Sequence, residues 1–285
     1  MRIASVGHAV FAAVLVGIGI LGLVRNDLVQ GWGGVPRDLS VHGWLPWLNA
    51  VVCLICGLGL FWRRTAAPAA RVLLVYFLLW FVLFKLSYIV VSPGVEGNYE
   101  NAAETAVVVA GAWVLYAWFA TDSDRRWLGF AIGDSGVRIA RVFYALAMIA
   151  FGLAHFFYLD LTAPLVPAWL PWHVGWAYFF GCTYVAAGVA MLIGVYARLA
   201  TVLSTVQMGL FTLLVWVPLV AAGVARTSQV GEFIVSCILT AAGWVVADSW
   251  RGVPWLIVGG RGFANRGKTG EAAGATISES GRRTP

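Results

Sequence analysis

Eight apolar runs, each about as long as the hydrocarbon core of a bilayer requires, constrain the fold of this chain more than any other feature. They cover about residues 3–24, 44–62, 72–91, 102–120, 139–158, 174–195, 199–222 and 230–247. Of the 285 residues 61% are hydrophobic and only 11% are charged, whereas about a quarter of a soluble domain is charged. The sequence therefore predicts an all-α membrane protein with eight transmembrane helices, whose first partner is the lipid bilayer.

The basic residues predict how the chain crosses the membrane. The net charge of +6 reflects arginines and lysines in short loops and in a tail, which is the pattern of membrane topology and anionic lipid contact and not of nucleic-acid binding. The loop that contains Arg63, Arg64 and Arg71, the central connector and the tail all fall on one side. We therefore predict that both termini are cytoplasmic. All four cysteines lie in apolar runs, so a secreted disulfide framework is not expected.

The second half of the chain repeats features of the first. The matching positions are Trp44-Leu45-Pro46-Trp47 with Trp169-Leu170-Pro171-Trp172, Gly57 with Gly188, Glu100 with Glu232, and Gly111 with Gly243. Because each copy holds four spans, both copies have the same membrane orientation, which predicts a parallel repeat of two four-helix bundles. The alternative is that apolar helices resemble one another through composition alone. In a true repeat, sites lie at the interface between the halves or are duplicated in each.

Polar stretches divide the chain into domains. Residues 1–120 are predicted to form the first four-helix repeat, residues 121–137 a cytoplasmic connector, and residues 138–250 the second repeat. Residues 251–285 are predicted to be a cytoplasmic tail, mostly disordered because it is rich in Gly, Ser, Thr and charged residues. Within this tail, the apolar piece at residues 253–258 is too short to cross a membrane and is expected at the interface.

Three segments of the second half carry a resemblance. They are Phe151-Gly152-Leu153-Ala154-His155-Phe156, Val166-Pro167-Ala168-Trp169-Leu170-Pro171 and Tyr196-Ala197-Arg198-Leu199-Ala200. Over about residues 142–247 the chain resembles the DoxX-like family of integral membrane proteins. The resemblance implies a four-helix unit of the inner (plasma) membrane and, for some members, a subunit of a thiosulfate:quinone oxidoreductase. It thereby implies quinone as a candidate cofactor and a redox protein as a candidate partner. The family usually has a glutamate where this chain has Tyr184.

Ionisable side chains inside apolar runs are functional candidates, because a charge in a bilayer is costly unless it is paired. His155 and Glu232 both lie near the outer ends of their spans, on helices one and four of the second copy. Such helices can be neighbours in a small antiparallel bundle, so a His–Glu pair is expected there. The carboxylate would hold the imidazole in one tautomer, as a proton relay requires. We predict both as catalytic residues; the alternative is that they are satisfied interfacial side chains.

A polar face of the last span is the second candidate. Glu232, Ser236 and Thr240 are spaced four apart and therefore share one face of a helix. This face would line a quinone or substrate cleft, and we predict Ser236, Thr240, Tyr184 and Trp172 as cofactor-binding residues. The alternative is that small and hydroxyl residues at this spacing only allow helices to pack. The sequence has no zinc-ligand spacing, so no metal site is predicted.

The first copy offers further ionisable groups. Arg25 is placed to form a structural ion pair with Glu100 or Glu104. Lys85, some seven residues inside its span, is placed either to pair with Glu104 or to snorkel to the outer interface. Cys53 and Cys56 form a C-x-x-C motif, but thiols in the middle of an apolar span favour packing over redox chemistry.

Three functions follow from these observations, and the sequence does not decide whether the protein is an enzyme. The first is a membrane subunit of a quinone-linked oxidoreductase complex, which the resemblance and the polar cluster among aromatic residues favour. The second is a non-catalytic membrane scaffold or assembly protein with a partner in the cell envelope. The third is a small-solute transporter, which ranks last because the mid-span positions are mostly valine, leucine, alanine and glycine.

Overall fold

The computed structural model of the protein describes residues 4–25, 28 and 44–258, and in these residues it contains helices and no β-strand. Seven of the helices are long and apolar enough to cross a membrane. A further apolar helix, Trp44–Leu60, is shorter, with 17 residues. The prediction of an all-α, multi-pass membrane protein is confirmed at this level.

The helices are numbered in chain order. They are α1 (Val6–Arg25), α2 (Trp44–Leu60), α3 (Ala66–Val91), α4 (Glu96–Phe119), α5 (Asp122–Trp127), α6 (Gly133–Phe157), α7 (Leu159–Thr162), α8 (His173–Ile193), α9 (Ala197–Ala221) and α10 (Thr227–Asp248). Two of them contain a π-helical segment, Phe81–Leu86 in α3 and Thr212–Trp216 in α9. Helical backbone pairs its own N–H and C=O groups, which a membrane-spanning segment requires.

Three helices begin about six residues before the apolar runs that predict them. α3 begins at Ala66, α4 at Glu96 and α6 at Gly133, whereas the runs begin near residues 72, 102 and 139. The first turns of α4 and α6 contain polar or charged side chains, which are tolerated where a helix leaves the apolar region, and α3 begins with alanines and a proline before Arg71. The predicted connector is therefore largely helical, because it contains α5 and the start of α6.

Helix α4 lies at the centre of the molecule. It packs against α3, α6 and α10, and 78% of its apolar window is buried, whereas only 22% is buried in α3 and in α9. The exposed side chains of α3 and α9 are largely apolar, as lipid-facing surfaces are. On the other sides, α1 packs against α2 and α10, and α6 packs against α8. Contacts between the first and second halves of the chain therefore run through α4 and α10.

Small residues allow α4 and α10 to approach closely. A Cβ atom added to Gly111 would lie 2.9 Å from the Cβ atom of Ala242, so a larger side chain does not fit there. Similar close contacts occur inside each half. A Cβ atom on Gly57 of α2 would lie 2.9 Å from a backbone nitrogen of α1, and one on Gly188 of α8 would lie 2.6 Å from a backbone oxygen of α6. Membrane helices associate through such close packing, since lipid is as apolar as their side chains.

The helices end at two opposite sides of the molecule. We call one side the terminal end; it carries residues 4–5, the α2–α3 and α8–α9 turns, α5 and residues 249–258. We call the other side the distal end; it carries the starts of α2, α4, α8 and α10. Residues 249–258 pack back on the α8–α9 turn. There the Tyr196 N–H donates to the Ile257 carbonyl oxygen at 2.9 Å, and the Arg198 guanidinium lies 4.0 Å from the Trp255 ring centroid. The rest of the tail that is predicted to be disordered, residues 259–285, lies outside the described residues.

Asp124 of α5 ties the connector to two long helices. Its carboxylate accepts hydrogen bonds from the Thr121 N–H at 2.8 Å and the Thr121 hydroxyl at 2.7 Å. It also forms an ion pair with Arg71 of α3 at 2.7 Å and accepts a hydrogen bond from the Tyr116 hydroxyl of α4 at 3.2 Å. Burial would raise the pKa of Asp124, but the hydrogen bonds from Thr121 and Arg71 outweigh it and lower the pKa to about 2.

We expect Asp124→Asn to lower the free energy of unfolding at pH 7 by about 1–2 kcal/mol. The loss is no larger because the Arg71 side chain is partly exposed, and water screens its ion pair with Asp124. Since the folded-state pKa is depressed, this stability is present above about pH 4 and is lost as the pH falls toward 2. Thermal unfolding in detergent measures the effect. Asp122→Asn is the matched control, because the Asp122 side chain is 98% exposed. Equal losses in the two variants would contradict the role of Asp124.

Candidate functional site

The structure keeps His155 and Glu232 apart. The Nδ1 atom of His155 lies 2.7 Å from the Phe151 carbonyl oxygen one turn earlier in α6. The His155 ring lies 5.8 Å, centroid to centroid, from the ring of Tyr184 in α8. Within the described residues, no hydrogen bond or ion pair joins His155 to Glu232 of α10. The expected His–Glu pair is therefore not formed, because His155 faces α8.

A backbone carbonyl group of α6, and not the expected carboxylate, fixes the tautomer of His155. A carbonyl oxygen can only accept a hydrogen bond, so Nδ1 carries the proton when the ring is neutral. The Nε2 atom then keeps its lone pair and is a hydrogen-bond acceptor. His155 is half-buried, and its ring contacts the ring of Tyr184, which also contacts that of Phe151.

Tyr184 lies in a polar contact between α8 and α9. It is buried, and its hydroxyl interacts with Gln207 of α9, whose Oε1 accepts a hydrogen bond from the Thr183 hydroxyl at 2.8 Å. The first half has a similar contact, in which the Tyr76 hydroxyl of α3 donates to Asn49 Oδ1 of α2 at 2.9 Å. In the alignment of the two halves Tyr76 corresponds to Gln207, which stands 131 positions later. Tyr184 thus connects two helices at a place where both halves use polar side chains.

The other residues that the sequence predicts for cofactor binding are dispersed. Ser236 and Thr240 lie on α10 one turn apart, as predicted, and the Thr240 hydroxyl is 3.3 Å from that of Thr212 in α9. Trp172 lies at the distal surface before α8, 85% exposed and with a φ angle of 61°. The structure therefore places Ser236 and Thr240 on one helix face and Trp172 away from it.

The cysteines of α2 and the potential metal ligands are the remaining side chains that the sequence considers. Cys53 and Cys56 are buried thiols, and the Cys53 Sγ donates to Asn49 Oδ1 at 3.7 Å. Among residues 4–25, 28 and 44–258, no group of three or more His, Cys, Asp or Glu side chains could hold a metal ion.

The ionisable side chains that do meet lie between α3, α4 and α10 near the distal end. Lys85 of α3 is 2% exposed, and its Nζ donates to Asn101 Oδ1 of α4 at 3.3 Å. The ammonium group also interacts electrostatically with Glu104, and Glu232 of α10 interacts with both Glu100 and Glu104. We name this group the charged cluster; its members are Lys85, Glu96, Glu100, Glu104 and Glu232.

Three carboxyl groups of the charged cluster come from one face of α4. Glu96, Glu100 and Glu104 are spaced four apart, so their side chains follow one another along the helix. Both carboxylate oxygens of Glu96 are buried without a hydrogen-bond partner. At 1.5 Å per residue, Glu104 lies about 12 Å from the start of α4. The charged cluster therefore extends from the distal end into the region that the apolar helices span.

Lys85 lies in the π-helical segment of α3. In a π-helix the hydrogen bonds run from residue i to i+5, which widens the turn, and such segments are frequent at functional sites. Around Lys85, the side chains of Val82, Leu83 and Leu86 are exposed, whereas the lysine is buried toward α4. The snorkelling alternative is therefore wrong. Arg25, which was the other candidate partner for Glu100 or Glu104, makes no ion pair with either in the described residues.

Sequence reasoning finds part of the charged cluster and misses the rest. Lys85, Glu100, Glu104 and Glu232 are candidates from the sequence, but Glu232 is expected to pair with His155 and not to face α4. Glu96 and Asn101 are missed. The four-residue spacing of the three α4 glutamates is the signal that could have found Glu96, whereas nothing in the sequence marks Asn101.

Comparison of the chain with protein families, with curated proteins and with solved structures finds no match. The resemblance to the DoxX-like family therefore stays a prediction, and the site is interpreted from its own geometry. Carboxyl groups that face one another in a region of low dielectric constant do not all ionise together. The chemistry that suits the charged cluster is the binding and release of protons.

We expect the stability effects of His155→Ala and Glu232→Gln to add within about 0.5 kcal/mol, because the two side chains do not touch. A double-mutant cycle on the free energy of unfolding in detergent measures the interaction. The positive control is Tyr144→Phe with Thr205→Val, since their hydroxyl oxygens are 3.1 Å apart and should couple. An interaction energy above about 1 kcal/mol between His155 and Glu232 would contradict this expectation and support the His–Glu pair that the sequence predicts.

Proposed function

We propose that this protein exchanges protons at the charged cluster as part of a membrane-bound activity. The observation that carries the proposal is the meeting of carboxyl groups from α4 and α10 around the buried Lys85 ammonium. Inserting a charged side chain at the centre of a bilayer costs a free energy of roughly 2.5–3.5 kcal/mol on insertion scales. Such side chains are therefore rare in membrane spans, and they mark ion pathways and proton relays. A cluster of this kind near one membrane surface is suited to take up protons and pass them on.

The activity that we place first is that of a membrane subunit of a quinone-linked oxidoreductase complex. Reduction of a quinone to a quinol consumes protons, which the charged cluster would supply, and the electrons would come from a redox partner protein. His155 supports this reading, because its Nε2 atom is a hydrogen-bond acceptor and its ring lies next to that of Tyr184. Ser236 and Thr240 continue the polar face of α10 beyond Glu232.

A proton-coupled transporter of small solutes is the second candidate. The sequence ranks it last because the mid-span positions are apolar, but Lys85 and Glu104 lie about 9 and 12 Å inside the ends of their helices. The charged cluster also lies where α4 of the first half faces α10 of the second, and transporter sites often lie at such an interface. A non-catalytic scaffold or assembly protein is the third candidate, in which the cluster would only hold helices together.

We also propose the finer architecture that the sequence predicts, with eight spans in two parallel four-helix repeats and both termini in the cytoplasm. In this arrangement α1–α4 correspond to α6, α8, α9 and α10. The π-helical segments support the repeat, because Phe81 and Thr212, at which they begin, are 131 positions apart. Exposed arginines at the terminal end, namely Arg63, Arg64, Arg125 and Arg126, support a cytoplasmic terminal end. The inner (plasma) membrane is the proposed location.

We expect Glu104→Gln and Glu232→Gln each to lower the proton-linked activity at least about tenfold, because an amide cannot carry the exchanged proton. Proton movement is measured with the purified protein in liposomes that contain a pH-sensitive dye. Quinone reduction is measured with the protein and its captured partners in mild detergent. Asp160→Asn is the matched control, since Asp160 is an exposed acid at the distal end and should tolerate the change.

The same two assays separate the candidate functions. Proton consumption that requires both a quinone and a co-purified redox protein favours the oxidoreductase subunit. Proton movement by the purified chain alone, driven by a solute gradient, favours the transporter. Capture of a partner with neither activity favours the scaffold and contradicts proton exchange, as would full activity in both glutamine variants.

A further inference from the structure

The first part of the connector, residues 121–132, has two unlike sides. One side is tied to the helices. Asp124 forms its ion pair with Arg71 of α3 at 2.7 Å, and the Trp113 indole N–H of α4 donates to the Ala131 carbonyl oxygen at 2.9 Å. Ala131 and Ile132 are buried. This part of the connector is therefore fixed against α3 and α4 at the terminal end.

The other side of the connector exposes large apolar side chains, which we name the connector patch. Trp127 is 83% exposed, Phe130 65% and Leu128 40%. The patch lies between α4, which ends at Phe119, and α6, which begins at Gly133, and both helices are long and apolar enough to cross a membrane. Tryptophan, phenylalanine and leucine beside basic residues are typical of segments that lie in the interface of a bilayer.

Exposed arginines lie at the same end of the molecule as the connector patch. Arg125 and Arg126 of α5 directly precede the patch, and Arg63 and Arg64 belong to the α2–α3 turn. The Arg125 Nε atom lies 3.9 Å from Asp122, whose side chain is 98% exposed. Within the described residues, no ion pair holds the other three arginines. The terminal end of the first half therefore combines exposed apolar side chains with positive charge.

The terminal end of the second half is different, because the chain itself occupies its arginines. The Arg141 guanidinium lies 3.6 Å from the Trp250 ring centroid, and that of Arg198 lies 4.0 Å from the Trp255 ring centroid. Both tryptophans belong to residues 249–258, which pack on this end of the bundle. In the part of the chain that the structure describes, no segment covers the connector patch in the same way.

We propose that the connector binds anionic phospholipids of the surrounding bilayer: the connector patch inserts into the interface, and Arg125 and Arg126 contact the headgroup phosphates. The position at the ends of two membrane-crossing helices favours lipid as the occupant. Charge favours an anionic lipid, since basic residues near a membrane surface are attracted to it. Charge also disfavours the tail, because residues 259–285 contain five arginines and lysines against two glutamates. A second copy of the chain would bring the same positive surface.

Native mass spectrometry of the full-length protein in detergent measures the binding of added phosphatidylglycerol and phosphatidylcholine. Phosphatidylglycerol should bind more tightly, because its headgroup is anionic. Arg125→Gln/Arg126→Gln should weaken its affinity about fivefold for each arginine replaced, which is the usual contribution of a basic residue near an anionic surface. Arg226→Gln is the matched control, since Arg226 is exposed at the distal end. An unchanged affinity in the double variant, or an equal loss in the control, would overturn the proposal.

Spin labels in phosphatidylglycerol liposomes test whether the connector patch inserts. With Cys182 and Cys237 replaced by serine, a nitroxide is attached at Phe130→Cys or, as the control, at Asp122→Cys. The label at position 130 should collide more with dissolved oxygen than with a water-soluble nickel complex, and the control label should show the reverse. Equal access of the nickel complex to both labels would contradict insertion. Release of a co-purified protein by Arg125→Gln/Arg126→Gln, with lipid binding unchanged, would assign the surface to a protein partner and overturn the proposal. Neither experiment depends on proton exchange.

Discussion

A charge that is held away from water needs an opposite charge or a proton beside it, and this requirement organises the centre of the molecule. Helix α4 brings three glutamates into the bundle, and Lys85 of α3 and Glu232 of α10 meet them there. The close approach at Gly111 and Ala242 makes this meeting possible, because it packs α4 directly against α10. Fold and candidate site therefore depend on the same helix.

The sequence predicts the existence and type of the long helices well, because runs of about 20 apolar residues are a strong signal. It predicts their beginnings less well, since α4 and α6 begin with polar turns and α3 begins with alanines, a proline and Arg71, which interrupt the apolar signal. The His155–Glu232 pair illustrates a different limit. Sequence position gives the depth of a side chain along its helix, and both residues do lie near the distal end. It does not give the direction in which the side chain points, which depends on helix packing and turns His155 toward α8.

Lys85 shows a third limit. The sequence leaves two directions open for it, toward lipid or toward Glu104. In the structure Lys85 lies within the π-helical segment and is buried against α4. The candidate site accordingly lies on the first half with one residue from the second, whereas the sequence favours a site wholly within the second half. Polar side chains link helices at matching places in both halves, Asn49 with Tyr76 and Thr183 with Gln207. Lys85 and Glu104 are charges that the halves do not share, since Trp216 and Ser236 stand at the corresponding positions.

Chemical labelling with an apolar carbodiimide tests the central claim most directly, because this reagent modifies carboxyl groups that carry a proton in an apolar environment. The protein is labelled in detergent at several pH values, and the modified residues are identified by mass spectrometry. The account predicts modification of Glu100, Glu104 or Glu232, declining as the pH rises, with none at the exposed Asp160. Absence of label from α4 and α10, or labelling that does not change with pH, would contradict a proton-exchanging cluster at their contact.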